Sequence, residues 1–457
     1  MRIHTWPPLS FILILVLALS GCASRPPEVT SVQAAASPAP AEPIEIEFWH
    51  AMGNQLGEVI DELVGRYNLS QDKVVVKAVY QGSYDDNFNT FLSSLGTGDE
   101  PNIVQHFDVA TQKMLDLNQI IPVHTLMTEA GSLQPTMFIN PVRRYYSDET
   151  GMAGLAFNLS VPLVYYNVDL FESLGVDPPP ANWTFADLRA LCTALQQPEP
   201  EQYCLSLGSF TWSFEQMLAN SGGLFFNQNN GRTGRADQAE FGSSRGVEVM
   251  TLLTDLIESK AAPPLDNTEA IELFVSGRAA MLIESSANLN YIEQNSAFEV
   301  GTGFIPHSPT SERNGVVIGG GALWLIDAGD EAENLAAWDF MQFMVAPEQQ
   351  ITWHQRTGYI PVRIDLYENE VLEDFWAERP NFRTAFDQLL ITQTSLADDT
   401  PNYAVLGGRA GTFPEIRTLI IQAATQVLEG KASPTAALDA AASEANGRLV
   451  NYNAFFQ

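Results

Sequence analysis

The sequence is short of basic residues. Across 457 residues it has 23 lysines and arginines against 55 aspartates and glutamates, a formal net charge of −32. Because nucleic acid and anionic lipid are both negatively charged, this balance argues against nucleic-acid binding and against electrostatic adhesion to a membrane. Small anions stay open as ligands, since one arginine can hold a phosphate or carboxylate by bidentate hydrogen bonds while the overall field is screened within about 10 Å.

Hydrophobic runs are also short. The longest covers residues 11–19, too short to span a bilayer, and lies between Arg2 and the sequence Leu19-Ser20-Gly21-Cys22. A positive start, an apolar core and this ending are typical of a bacterial lipoprotein signal peptide. We therefore predict a signal peptide over residues 1–21, lipidation of Cys22, and export to the outer face of the cytoplasmic membrane, in the periplasm. Residues 22–43, rich in Ala, Pro and Ser, are predicted to be a tether.

Cysteine is scarce: the chain has three, of which Cys22 is the predicted anchor. In an oxidising compartment the remaining pair, Cys192 and Cys204, predicts a disulfide. The alternative is two buried thiols, because two cysteines without a histidine partner do not form a zinc site. The six histidines lack the spacing of metal ligands, so no metal site is expected.

Catalytic signatures are missing as well. The sequence has no Gly-x-Ser-x-Gly elbow, no His-Glu-x-x-His pair, no phosphate-binding Gly-Lys-Ser/Thr loop and no dinucleotide-binding glycine pattern after its first strand. We therefore expect neither a reaction centre nor a cofactor. Aromatic and single polar residues at loop positions instead favour a concave binding site for a small molecule.

The hydrophobic pattern alternates between strands and helices. Residues 44–50, 74–80 and 102–106 are predicted to be strands, and apolar residues at helical spacing predict helices over 59–67 and 88–95. Such alternation predicts an α/β fold with a mostly parallel sheet, in which ligands bind beyond the carboxyl ends of the strands. A chain of this length exceeds one hydrophobic core, so we expect two lobes.

Later segments continue the pattern. Strands are predicted at 152–157, 162–167, 279–283 and 298–305, and helices at 184–195, 247–257, 270–275 and 335–344. Between the first two of these strands, residues 158–160 are predicted to form a polar turn that carries the chain between lobes. The glycine-rich residues 317–324 are predicted only to precede the next helix.

A helix beginning at Pro347 is predicted to end at Gly358, which leaves Tyr359 at its end. The ring of Tyr359 offers a flat face for stacking, and its hydroxyl offers one polar contact. On these residues alone, a buried aromatic at a helix end is the alternative to a ligand contact.

Several motifs follow one another along the chain: Phe48-Trp49-His50 and the segments 81–84, 163–167, 318–320, 353–361 and 414–417. With them the chain resembles the extracellular solute-binding proteins of bacterial ABC transporters, in the large family 1 that includes maltose-binding protein. From Ile44 to about Tyr452 it resembles most the branch that binds sn-glycerol-3-phosphate.

The resemblance implies a two-lobed periplasmic-binding-protein fold of type II, α/β in class, in which each lobe is a mostly parallel sheet flanked by helices and the cleft lies between the lobes. Lobe 1 would comprise residues 44–157 and about 312–348, and lobe 2 residues 158–311 and about 349–457. The implied protein is a monomer that performs no chemistry. Its partners would be a small solute and an ABC permease, which recognises the closed, ligand-bound form.

Ligand contacts are implied where the sequence matches the family's motifs: Tyr84, Asp108, Ser160, Trp212, Ser285, Gly320, Tyr359 and Arg417. In the family's pattern Arg417 would pair with a phosphate, and Ser285, Gly320 and Tyr359 would donate neutral hydrogen bonds to it.

Two departures from the family's pattern concern the polyol end of the pocket. Asp108 stands in place of a glutamate that receives glycerol hydroxyls, and Ser209 stands in place of a second pocket tryptophan. Both changes would enlarge that end. A phosphorylated polyol and a glycerophosphodiester are therefore candidates beside sn-glycerol-3-phosphate.

Other functions stay open at this point. A neutral sugar or oligosaccharide could bind on the same fold, with Arg417 serving as a structural cation paired to a neighbouring acid. A secreted carbohydrate-active enzyme would need two carboxylates spaced across the cleft, for which Asp108 and Glu284 are the candidates. A scaffold lipoprotein without a ligand is the third alternative.

Overall fold

The computed structural model describes residues 42–127, 133–195, 202–264, 269–397 and 400–456. The predicted signal peptide, the lipidated Cys22 and nearly all of the tether lie outside the described residues. In the part that is described, no helix is both long enough and apolar enough to cross a membrane.

In the described ranges ten strands form two sheets. They are β1 (Ile44–His50), β2 (Val74–Tyr80), β3 (Ile103–Phe107), β4 (Ile120–Ile121), β5 (Leu155–Ser160), β6 (Pro162–Asn167), β7 (Tyr203–Leu207), β8 (Ala279–Ser285), β9 (Val300–Gly303) and β10 (Gly319–Ile326). The first sheet has the order β2-β1-β3-β10-β4, with β5 also paired to β10, and the second has the order β7-β8-β6-β9.

Strand directions agree with the predicted fold, with one opposing strand in each sheet. In the first sheet β1 pairs in parallel with β2 and β3, whereas β10 runs antiparallel to β3, β4 and β5. In the second sheet β7 and β8 are parallel, and β6 runs antiparallel to β8 and β9. Each sheet is thus mostly parallel in direction. The opposing strand β10 was not identified as a strand in the sequence, because its three leading glycines have low strand propensity.

Helices cover both sheets. They are α1 (Asn54–Ser70), α2 (Tyr84–Ser94), α3 (Thr111–Leu115), α4 (Asn140–Tyr145), α5 (Val168–Leu174), α6 (Phe185–Ala194), α7 (Phe210–Asn220), α8 (Asn227–Gly231), α9 (Ser244–Glu258), α10 (Ala270–Val275), α11 (Leu289–Asn295), α12 (Glu331–Met344), α13 (Pro347–Thr357), α14 (Glu370–Glu378), α15 (Asn381–Leu390), α16 (Phe413–Leu428) and α17 (Pro434–Asn453). Helices α1, α2 and α12 pack on the first sheet, α10 and α15 pack on the second, and α7, α9, α16 and α17 pack on one another.

Helix ends follow the local signals in the sequence. A capping box in which Thr184 and Asp187 bond each other's backbone amides begins α6. Gly358, with φ of +113°, ends α13 in the left-handed conformation that glycine adopts most easily. These ends determine where the following loops begin, and the loop after Gly358 carries Tyr359.

Residues 158–160 are not the predicted turn. They are the last three residues of β5, where Asn158, Leu159 and Ser160 pair with Gly321, Gly320 and Gly319 of β10. The polar turn signal is overridden because the facing glycines let the two backbones approach closely. The chain still passes from the first sheet to the second here, since β5 and β6 belong to different sheets and only one residue separates them.

A disulfide joins Cys192 of α6 to Cys204 of β7, with 5.2 Å between their Cα atoms. Both residues are buried. The bond therefore fastens α6 to the edge strand of the second sheet.

Candidate functional site

Two tyrosines from distant parts of the chain meet at Asn158. Tyr84 is the first residue of α2, and its hydroxyl accepts a hydrogen bond from Nδ2 of Asn158 at 2.8 Å. Burial raises the pKa of Tyr359, while hydrogen bonds with Asn158 and Tyr84 act to lower it. Three neutral polar groups thus form one hydrogen-bonded cluster beside the end of β5.

Aromatic stacking holds both tyrosine rings in place. The ring of Tyr84 stacks on Phe107 with 5.2 Å between centroids, and the ring of Tyr359 stacks on Trp353 at 5.3 Å. Tyr359 is only 4% exposed. Tyr359 is therefore a buried aromatic at a helix end, which was the alternative to a ligand contact. It also lies beside other candidate ligand residues.

Gly320 brings β10 close to β5. Its φ is +99°, and a Cβ atom at this position would lie 1.8 Å from the carbonyl oxygen of Asn158. A Cβ built on the preceding Gly319 would lie 3.2 Å from Oγ of Ser160 and 3.2 Å from the ring of Trp212. The glycines thus place Ser160 and Trp212 together at this part of the site.

A buried charged triad lies at one end of the site, formed by Asp108, Arg417 and Glu215. Nε and Nη2 of Arg417 donate to Oε2 of Glu215 at 3.2 and 2.5 Å, and Nη2 lies 3.9 Å from Oδ2 of Asp108. Asp108 follows β3, Glu215 lies on α7 and Arg417 lies on α16. Three elements that are distant in sequence therefore supply one arginine and two acids.

The triad includes two carboxylate oxygens that are available as hydrogen-bond acceptors. Among the described residues, neither Oδ2 of Asp108 nor Oε1 of Glu215 receives a hydrogen bond, although both atoms are buried. Burial raises the pKa of Asp108 to about 7, an effect that Arg417 opposes and Glu215 reinforces. A buried acceptor without a donor costs about 1–3 kcal/mol, so a ligand hydroxyl placed here would recover part of that cost.

Glu215 was not identified in the sequence. It lies three residues after Trp212 on α7, which places both side chains on one face of the helix. The spacing could have suggested a polar position facing the site, but one acid in an apolar helix is a weak signal. Tyr145 and Tyr146 were missed too; the hydroxyls of both interact electrostatically with Asp108, and that of Tyr146 also with Tyr359.

Ser285 is the last residue of β8, and its side chain bonds to a neighbouring backbone amide. Its Oγ accepts from the backbone N–H of Ala287 at 3.2 Å, and its carbonyl accepts from the hydroxyl of Tyr165 at 2.8 Å. The neighbouring Glu284 lines a cavity of about 610 Å³ between the start of α1 and α10. Burial raises the pKa of Glu284.

The partners of Arg417 lie at the end of the site that carries Asp108. Arg417 contacts Glu215 and lies beside Asp108, which had been expected at the polyol end; among the described residues its hydrogen bonds do not involve Ser285, Gly320 or Tyr359. Since these four residues were predicted to meet at a bound phosphate and not to bond one another, their assignment stays a prediction.

A cavity lies next to the triad. A cavity of about 280 Å³ is lined by Phe107, Ser209, Thr211 and Arg417, among others. Ser209 occupies the position expected to carry a tryptophan in the family. Its small side chain caps α7 by accepting from the backbone N–H of Trp212 at 3.4 Å.

Comparison with known proteins agrees with this architecture. Residues 62–384 match the model of a family described as bacterial extracellular solute-binding protein. The sn-glycerol-3-phosphate-binding periplasmic protein UgpB of Pectobacterium atrosepticum is 30% identical over 415 residues, which is 89% of this chain and 91% of that protein.

Solved structures share the fold as well. UgpB from Mycobacterium tuberculosis in complex with glycerophosphocholine has a TM-score of 0.75 at 18% identity, over 90% of this chain and 99% of the other. The cyclic alpha-maltosyl-1,6-maltose binding protein from Arthrobacter globiformis has a TM-score of 0.72 at 22% identity, over 90% of this chain and 100% of the other. The predicted two-lobed α/β fold is thereby confirmed, and the chain belongs to the bacterial extracellular solute-binding protein family.

Proposed function

We propose that this protein captures a small solute in its cleft and delivers it to the permease of an ABC importer. The observation that carries the proposal is the buried charged triad, whose two acids each have an oxygen that receives no hydrogen bond from the described residues. The hydroxyls of Tyr84 and Tyr359 and the amide of Asn158 lie beside it. Such a set of convergent polar groups between aromatic rings suits a polar small molecule. The ligand residues named from the family's motifs, with Glu215 added, are proposed to line the site.

For the solute we propose sn-glycerol-3-phosphate, or a related glycerophosphodiester or phosphorylated polyol. Both hydrogen bonds that Arg417 makes among the described residues go to Glu215, from Nε and Nη2, which leaves Nη1 for a ligand oxygen. A guanidinium held in this way is already oriented, so little side-chain entropy is lost when an anion binds. The cavity beside Ser209 gives room for a substituent beyond glycerol.

A neutral sugar is the second candidate, and one observation favours it. Glu215 already compensates the charge of Arg417, as expected if this arginine is a structural cation. With Asp108 also ionised, the triad carries a net charge of −1, which opposes a phosphate. In that case Asp108 and the ring of Trp212 would dominate binding.

The remaining features of the proposal concern the chain's organisation. Lobe 1 is proposed to comprise residues 44–157 and about 312–348, and lobe 2 residues 158–311 and about 349–457. The protein would act as a monomer, exported and anchored through lipid on Cys22. We propose no catalysis, because Glu284 lines a different cavity from the one beside Arg417 and so is not paired with Asp108 across a bound substrate.

Titration calorimetry with sn-glycerol-3-phosphate, glycerophosphocholine and maltose tests the solute. If a phosphate binds, Arg417→Ala should weaken affinity by about a hundredfold to a few thousandfold, equivalent to about 3–5 kcal/mol, and Asp108→Ala should cost less. Because Arg417→Ala also leaves Glu215 without its cation, Arg417→Lys is the control that keeps the charge. Maltose binding that Arg417→Ala leaves unchanged would overturn the phosphate assignment.

A further inference from the structure

A second cavity, of about 340 Å³, is lined by four arginines. Arg143 and Arg144 belong to α4, on the chain between β4 and β5 of the first sheet. Arg232 lies on the chain between β7 and β8 of the second sheet, and Arg409 lies in the loop before α16. We call this space the arginine cavity. It gathers positive charge from both halves of the fold, in a chain whose net charge is −32.

Backbone carbonyls, which have no formal charge, hold two of these arginines. Arg232 donates to the carbonyl oxygens of Gly407, Tyr145 and Leu406 at 3.0, 2.9 and 2.7 Å. Arg409 donates to the carbonyls of Gly231 and Ser147. These contacts orient the guanidinium groups without neutralising them. Burial accordingly lowers the pKa of Arg232 to about 10 and lowers the pKa of Arg409.

The other two arginines have donors to spare. Among the described residues the side chain of Arg143 makes one hydrogen bond, to Oδ1 of Asn140 at 3.2 Å, and the side chain of Arg144 makes none. Within the described ranges, none of the four arginines forms a salt bridge. Their charge therefore has no direct counter-ion there.

Two acids line the same cavity but do not neutralise it. Oδ1 of Asp148 is turned toward its own loop, where it accepts from the backbone N–H and hydroxyl of Thr150 and from the N–H of Gly151. Glu149 is exposed. Burial has the largest effect on the pKa of Arg409 and lowers it, while Asp148, Asp116 and Glu149 act to raise it. Among the residues that line the cavity, four arginines against two acids leave a charge of +2.

We propose that the arginine cavity is a second binding site, for a small multivalent oxyanion such as pyrophosphate or a tricarboxylate. Guanidinium groups pair with phosphate and carboxylate oxygens through parallel hydrogen bonds, and several of them around one cavity match an anion with more than one charged group. The volume is at the lower end of the range for small-molecule sites. This assignment does not rest on the identity of the cleft solute.

Binding of an anion in the arginine cavity would change the affinity of the cleft for its solute. Tyr145 stacks beneath Arg232, with 4.4 Å between the guanidinium carbon and the ring centroid, and its hydroxyl also interacts with Asp108 and Arg417. An anion held by arginines from both halves of the fold favours the arrangement seen here. By linkage it tightens binding of any solute that needs the same arrangement.

The test is titration calorimetry of the purified protein with pyrophosphate and with citrate, at fixed ionic strength and without a cleft ligand. The informative variant is Arg143→Gln/Arg144→Gln, since among the described residues these two side chains make one hydrogen bond, to Asn140, and no salt bridge. Its matched control is Arg245→Gln/Arg278→Gln, which removes the same charge from two other arginines that form no salt bridge among the described residues.

We expect wild type and the control variant to bind at least one of the two anions, and Arg143→Gln/Arg144→Gln to bind it at least about tenfold more weakly, because charge-assisted hydrogen bonds are lost. Unfolding midpoints without anion should be equal in the three proteins; if the double variant is unstable, Arg144→Gln alone decides. Absence of binding by wild type to both anions, or an equal loss in the control, overturns the proposal.

Discussion

Replacing Asp108 with asparagine should make the protein more stable at neutral and alkaline pH. Asp108 is 6% exposed, and burial raises its pKa from 3.8 to about 7 despite the nearby Arg417. Between those two pH values the unfolded chain releases the proton that the folded protein keeps. Stability therefore falls as pH rises through this window, and above it the whole penalty is present.

The size of the effect follows from the shift. A difference of about three pKa units corresponds to about 4 kcal/mol at pH 8. At pH 5 only the first part of the window has been crossed, so the penalty there is about 1 to 2 kcal/mol. Asparagine has nearly the same shape as a protonated aspartate and does not ionise. Asp108→Asn should therefore gain about 2 to 3 kcal/mol relative to wild type between pH 5 and pH 8.

Urea unfolding of both proteins at pH 5 and pH 8 measures this difference. Asp374→Asn, at an exposed position, is the matched control and should show little change between the two pH values. If Asp108→Asn has the same stability relative to wild type at both pH values, or is destabilised only at pH 8, then Asp108 is not held protonated by its surroundings and the description of the triad is wrong.

Three other predictions concern the backbone and the covalent links. Gly320→Ala should lose at least about 2 kcal/mol in urea unfolding, because its φ is +99° and the added carbon would lie 1.8 Å from a carbonyl oxygen; Gly303→Ala, where that carbon meets no atom within 4 Å, is the control and should cost about 1 kcal/mol or less. Replacing Cys192 and Cys204 with serine should lower the free energy of unfolding by about 2 to 3 kcal/mol, for a sequence separation of 12. Alkylation without reductant that labels both thiols of the exported protein would show that no disulfide forms. Cys22→Ala should release the exported protein from the membrane, and an N-terminal peptide of the mature wild type without acyl-chain mass would refute lipidation.

Local patterns in the sequence predicted the elements well. Alternating and helical hydrophobic spacing located β1, β2, β3, α1 and α2, and the glycine at 358 correctly marked the end of α13. These features depend on neighbours in sequence, so they can be recognised without knowing the tertiary structure.

What the sequence missed depends on distant partners. Residues 158–160 extend β5 only because Gly319–Gly321 lie opposite them, and the two segments are about 160 residues apart. Glu215 can be recognised as part of the site only from the tertiary structure, in which its helix α7 lies against α16. The charge state of Asp108 likewise follows from burial and from two partners on other elements, which no pattern along the chain reports.

Mass spectrometry of the small molecules released when the purified protein is denatured tests the central claim most directly. A protein that captures its solute in a cleft with Arg417 and Asp108 should release a phosphorus-containing polyol or glycerophosphodiester in about equimolar amount, and Arg417→Ala should release little or none. Recovery of a neutral hexose or oligosaccharide instead, retained by Arg417→Ala and lost from Asp108→Ala, would contradict the account.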